Sequence, residues 1–196
     1  EKNKEYMLNV IKMHGEEAQK ISKKYLLPYM WEGAQEPWRA AYAGGHKNGI
    51  RNSQVTVLAP TGTISFMMDA DTTGIEPGFS LIAYKKMVGG GFLKIVNQSL
   101  KHALLNLGYN EIQTREIMDY VLANDTIEGA PHIKDKDLAV FDCAFKAANG
   151  KRSIHYKGHI DMMAVTQPFL SGAISKTINM SESSSVEEIA KSYIYA

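Results

Sequence analysis

Apolar residues recur at helical spacing near the start of the chain. Met7, Val10, Ile11, Ala18 and Ile21, with His14 among them, fall on one face and predict an amphipathic helix over residues 3–24. A second helical stretch is expected over 29–47, with Pro37 near the start of a new segment and "GGHKNG" as the stop. The pattern then changes period. Val55 and Val57 alternate with polar neighbours, so Asn52 to Leu58 reads as a strand, followed by a short helix at about 62–69. "SLIAYKKMVGGG" reads as a strand ended by three glycines, and "FLKIVNQSLKHALLNLG" as one helix with Gly108 at its C-terminal end. "NEIQTREIMDYVLAN" predicts a helix capped by Asn110, with an acidic residue in its first turn.

"DTIEGAPHIKDKDLAVFDCAF" reads as loop and short helix. "HIDMMAVTQPFLSGA" is apolar on much of its circumference and predicts a buried helix ending near Gly172. "ISKTINM" reads as a strand, and "SVEEIAKSYIYA" as a last helix with a serine cap. Strands separated by long helical crossovers favour a parallel arrangement, although two or three strands are too few for a closed barrel or a wide sheet.

Composition adds little that is special. The chain has 196 residues and 44% hydrophobic residues, enough for a core of useful size. It carries 22 basic and 21 acidic residues, a balance that gives no reason to expect nucleic acid or an anionic membrane as partner. No apolar run approaches the ~18–20 residues that span a bilayer, and the opening "EKNKEYMLNV" is not a signal peptide. Cys143, in "VFDCAF", is the single cysteine, so dithiol chemistry cannot be completed within these residues. Both ends read as cut: the first residue is Glu1, and the last lies inside a helical pattern.

The junction Ala59-Pro60-Thr61-Gly62-Thr63-Ile64 is the best candidate for chemistry. A strand ends and a helix begins there, so the first-turn amides lack intrahelical partners, and the helix dipole places partial positive charge beside them. Gly62 admits a ligand close to the backbone, and Thr61 and Thr63 add hydroxyls, which suits a phosphate held without a lysine. The same residues also suit an ordinary helix cap by Thr61. Asp69, Asp71 and Glu76 form a small acidic group. It could take a divalent metal, or Asp71 could cap the turn while Glu76 accepts from backbone amides. Gly89-Gly90-Gly91 is either a connector or a place for a large ligand against bare backbone. His155 and His159 lie one helical turn apart, without a third metal ligand placed by the sequence.

Four long stretches together carry a resemblance. "NSQVTVLAPTGTISFMMDADTTGIEP", "YKKMVGGGFLKIVN", "TIEGAPHIK" and "VFDCAFKAANGKRSIHYKGHIDMMAVTQPFLSGAISKTINM" closely resemble the adenosylcobalamin-dependent (class II) ribonucleotide reductases, strongly over about residues 50–181. The resemblance implies an α/β fold: a helix-rich partial segment, the C-terminal part, of the family's ten-stranded α/β barrel. In that reading, residues 1–50 are a helical lead-in, 51–181 the barrel strands and crossover helices, and 182–196 the start of a helix.

The reaction implied is replacement of a ribonucleotide's 2′-hydroxyl by hydrogen through a thiyl radical. Adenosylcobalamin is the implied cofactor, a ribonucleoside di- or triphosphate the substrate, and a thioredoxin-type protein the reductant, in the cytoplasm. The resemblance assigns Pro60, Thr61, Gly62, Thr63 and Ile64, with Ser65 as a helper, to the substrate phosphates, and leaves the cobalamin contacts unassigned. It gives "TTGIEP" and "SGAISKTINM" structural roles. The Asn-Pro-Cys-x-Glu motif that carries the radical cysteine in the family does not occur in these residues, and Cys143 matches none of the family's redox cysteines. The chain alone is therefore expected to be inactive and to need the rest of a reductase or a complementing chain. The alternatives are a non-catalytic nucleotide-phosphate-binding module and a subunit-interaction module.

Overall fold

A computed structural model describes residues 3–196. Seven α-helices and two strands make up its regular elements among these residues: α1 Lys4–Gln19, α2 Pro28–Asn48, α3 Gly62–Met67, β1 Ile82–Lys86, β2 Phe92–Val96, α4 Ser99–Asn106, α5 Glu111–Asn124, α6 Tyr156–Thr166 and α7 Val186–Tyr195. The chain divides into two compact units. One comprises residues 1–59 and 161–175, the other 60–160 and 176–196.

The first unit is built on α1 against α2. Met7, Leu8, Ile11, His14 and Ala18 form the buried stripe of α1, close to the face that the periodicity predicts. Gln35 of α2 donates to the carbonyl of Ala18 at 2.6 Å, and His14 lies tilted against Trp38 with ring centroids 5.1 Å apart. Pro37 does not start a new segment: α2 runs through it to Asn48 and stops at Gly49. The strand expected over 52–58 is reduced to a single parallel bridge, Leu58 with Ile174. Upstream, the Gly172 amide still donates to the Thr56 carbonyl at 2.8 Å, and the Ser171 hydroxyl accepts from the amides of Val55 and Thr56, so a side chain takes over where the backbone pairing runs out. The two expected strands are therefore parallel where they meet, but they meet at one residue pair.

The second unit holds the only sheet among the described residues, and it is antiparallel, not parallel. β1 and β2 form a hairpin with Ile82 opposite Val96 and Lys86 opposite Phe92. The helix expected over 92–108 is instead β2 followed by α4. Gly89, Gly90 and Gly91 explain the difference. All three have positive φ (102°, 99° and 85°), so they turn the chain back on itself and bring "FLKIV" beside β1. The C-terminal end of α4 is as expected in kind. Gly108, at φ 89°, donates to Leu105 and Tyr109 donates to Leu104, the pair of bonds that closes a helix on a left-handed glycine. α5 carries the predicted Asn110 cap, reinforced by Gln113 in a capping box, and α7 carries the same device through Ser185 and Glu188.

The core of this unit joins the hairpin, α4, α5 and the 3₁₀ turn Asp135–Phe141 through Ile82, Leu100, Leu104, Tyr109, Ile117, Val121, Ile127, Ala130 and Phe141. Tyr109 keeps its hydroxyl satisfied by donating to Asp137 at 2.7 Å and accepting from the amide of Lys134 at 3.0 Å. α6 is not the buried helix expected. His159 and Ile160 are buried, but Met162 and Val165 are 52% and 65% exposed.

Candidate phosphate-binding site

The six residues singled out from sequence form one turn. Thr61 has φ 46°, a left-handed conformation that a threonine rarely adopts, and it swings the chain into α3 at Gly62. The Ser65 amide donates to the carbonyl of Thr61 at 3.1 Å and closes the first turn. The amides of Gly62, Thr63 and Ile64 have no acceptor among the described residues. A Cβ placed on Gly62 would meet nothing within 4 Å, and Thr63 and Ile64 are exposed, so the approach to these amides is open. Ser65 is buried at 9% exposure and belongs to the packing side of the turn.

The acidic residues nearby are committed to other groups. Asp71 accepts from the amides of Gln98 and Ser99, both at 3.0 Å, and from the Ser99 hydroxyl at 2.6 Å. It therefore caps α4, not its own turn as the sequence suggested. Gln98 occupies the N-cap position without a capping side chain, and Asp71 supplies one from a distant segment. Partial burial pushes the Asp71 carboxyl up, but the bonds from Ser99 and Gln98 outweigh this and leave it below its ordinary range. Asp69 accepts from the side chain of Gln98 at 3.2 Å.

Glu76 does accept from a backbone amide, that of Thr177, at 2.6 Å. It also takes the ammonium of Lys176 at 2.6 Å, in an ion pair whose side chains are only 2% and 13% exposed. Lys176 further donates to the Thr177 carbonyl at 2.5 Å and lies 2.9 Å from Nδ1 of His159. An ammonium can only donate, so Nδ1 accepts and the imidazole proton sits on Nε2. Burial, and then the Lys176 cation, hold His159 below its ordinary range, against a smaller opposing pull from Glu76. His159 Nε2 is buried with no partner among the described residues. Removing one member of a buried pair of this kind costs about 3–5 kcal/mol, because the other charge is left uncompensated.

Sequence reasoning missed Lys176 altogether and weighed His159 only beside His155. The two histidines do not converge: His155 stacks on Tyr156 at 4.3 Å, whereas His159 faces Lys176. The glycine run at 89–91 serves the hairpin turn. Cys143 has its thiol pushed up to about 11 by burial and then by Asp142, which keeps it protonated and unreactive near neutrality.

With this geometry established, comparison with known proteins places the chain. The family model for the ribonucleotide reductase barrel domain matches residues 4–196, and the chain belongs to that family. The chain is 54% identical to a vitamin B12-dependent ribonucleotide reductase of Rhodopirellula baltica, over 98% of this chain and 18% of that protein. It is 44% identical to one of Streptomyces coelicolor, over 96% of this chain and 19% of the relative. A vitamin B12-dependent ribonucleoside-diphosphate reductase of Mycobacterium tuberculosis is 30% identical over 74% of this chain and 19% of the relative. The chain thus spans about a fifth of the length of these relatives. The helix-rich structure fits a partial segment of the family's barrel domain.

Proposed function

We propose that this chain is part of a vitamin B12-dependent ribonucleotide reductase, which converts ribonucleotides to 2′-deoxyribonucleotides by thiyl-radical chemistry for DNA synthesis. Its own contribution is the loop Pro60, Thr61, Gly62, Thr63, Ile64 and Ser65, which holds the substrate's phosphates. The observation that carries this reading is the Thr61–Gly62 turn. It leaves three amides unpaired and approachable at a helix start, in a chain whose relatives are named for this reaction. These amides and the hydroxyls of Thr61 and Thr63 would orient a di- or triphosphate, and with it the ribose. Adenosylcobalamin, when bound, supplies the homolysis that starts the radical. The glycine run at 89–91 is used by the hairpin turn.

Cys143 plays no redox part. The radical cysteine, the reducing pair and a thioredoxin-type reductant would come from outside these 196 residues, from the rest of the reductase or a complementing chain in the cytoplasm. No helix among the described residues is long and apolar enough to cross a membrane.

A second reading, a subunit-interaction or nucleotide-binding module without catalysis, is favoured by exposed apolar side chains. Met67 and Met68 in the second unit are 76% and 69% exposed, and Val57 and Val165 in the first are 58% and 65% exposed. The test is a reductase assay with adenosylcobalamin and a dithiol. The chain alone should give no turnover. Mixed with a chain bearing the Asn-Pro-Cys-x-Glu motif it should give deoxyribonucleotide, and Gly62→Val should abolish this. Turnover by the chain alone would overturn the reading. Nucleotide binding with no turnover in any mixture would favour the second.

A further inference from the structure

We infer that Lys176 is a positioning residue for the candidate phosphate loop: it clamps Glu76, and through Glu76 it fixes the segment 68–77 from which α3 and the Thr61–Ser65 turn are held. The inference rests on the reading of that turn as a phosphate site, but the clamp itself can be tested without ligand.

The chemistry of the clamp is that of a locator. An ammonium has three protons, and all three are used: on Glu76 Oε2 at 2.6 Å, on His159 Nδ1 at 2.9 Å and on the Thr177 carbonyl at 2.5 Å. The other oxygen of Glu76 accepts from the Thr177 amide at 2.6 Å. Two buried charges held by so many directed bonds tolerate little displacement, since any slip leaves a desolvated group unpaired.

What the clamp holds follows from the hydrogen bonds between α3 and Glu76. Met68 donates to Ile64 and Ala70 to Ser65, which ties the start of the segment back to α3, and Glu76 donates to Thr73, which closes a turn at its end. It is tied to other segments at its start, where Asp69 and Asp71 meet Gln98 and Ser99, and at its end, where Glu76 meets Lys176 and Thr177. The first tie is exposed and the second buried. Thr61, Gly62, Thr63 and Ile64 make no side-chain hydrogen bond of their own to fix their place among the described residues.

The experiment measures amide hydrogen exchange by NMR in this chain, comparing the wild type with Lys176→Met and the milder Glu76→Gln. Exchange at Ser65, Met68 and Ala70 should quicken by about tenfold or more, with the α5 amides unchanged within about twofold. The ¹⁵N signal of His159 Nδ1 should also lose its signature as a hydrogen-bond acceptor in Lys176→Met. A general structural weakening would move α5 as well, and that outcome, or unchanged exchange at residues 65–70, overturns the inference. If Lys176→Met does not fold, Glu76→Gln carries the test. In a second arm cytidine 5′-diphosphate is titrated into wild type and Glu76→Gln, with affinity expected to fall about tenfold or more in the folded variant. Wild type that binds no diphosphate, with the exchange result intact, would sink the phosphate reading and leave the clamp.

Discussion

Replacing Asp71 by alanine removes the cap of α4 from a segment that α4 itself does not contain. Three acceptor bonds are lost, two to the amides of Gln98 and Ser99 and one to the Ser99 hydroxyl. Loss of an N-cap costs about 0.5–2 kcal/mol, and loss of a negative charge beside a helix start adds about 0.3–1 kcal/mol. Two features moderate the sum. Asp71 is exposed, so its charge is screened, and the Asn97 side chain also accepts from the Ser99 amide at 2.9 Å. A net loss of about 1–2 kcal/mol follows, which for a chain of this size lowers the melting temperature by roughly 2–8 °C. Thermal unfolding followed by circular dichroism measures it.

Acid provides an internal control. The Asp71 carboxyl titrates below its ordinary 3.8 in the folded chain, so its contribution is present above that value and disappears as pH falls through the lowered one. The difference between wild type and Asp71→Ala should therefore close in strong acid. Asp71→Asn keeps one acceptor oxygen and should fall between the two. A melting temperature unchanged by Asp71→Ala at neutral pH would refute the capping argument, and so would a gap that persists undiminished in acid.

Two further outcomes follow from the buried groups. Cys143 should react with iodoacetamide about 100-fold more slowly than a thiol of ordinary pKa at mildly alkaline pH, because its pKa is pushed up from 9.0 to about 11; a rate equal to that of the unfolded chain would contradict its burial. His159 is held neutral, so its share of stability is complete above its unfolded value of 6.5 and is lost as pH falls below it; urea unfolding midpoints should fall from pH 7 to pH 5 in the wild type and less in His159→Gln, and equal slopes would refute the assignment.

Local signals in the sequence were legible where the chemistry is local. The Asn110 cap, the serine cap of the last helix and the Gly108 stop all do what the sequence predicts, since a cap needs only its own helix, and Gln113 and Glu188 reinforce the two caps. The Pro60–Ser65 turn was legible as a turn into a helix for the same reason. What failed depended on distant partners. "FLKIV" has enough apolar character for helix or strand, and only the three left-handed glycines before it decide the matter by returning the chain to β1. Asp71 looked like a cap for its own turn, whereas its partners lie 27 and 28 positions away. Lys176 carries no sequence signal, because its meaning comes from Glu76, 100 positions upstream, and from burial. α6 read as buried from its composition, but Asp161, Met162, Ala164 and Val165 within it stay at the surface.

The central claim is that the amides following Thr61 receive the phosphates of a ribonucleotide. The most direct measurement is an NMR titration of this chain with cytidine 5′-diphosphate, following the amides of Gly62, Thr63 and Ile64, with cytidine as the control that lacks phosphate. Saturable shifts confined to these amides with the diphosphate, absent with cytidine and lost in Gly62→Val, are predicted. Amides that do not move, or that move equally with cytidine, would contradict the account.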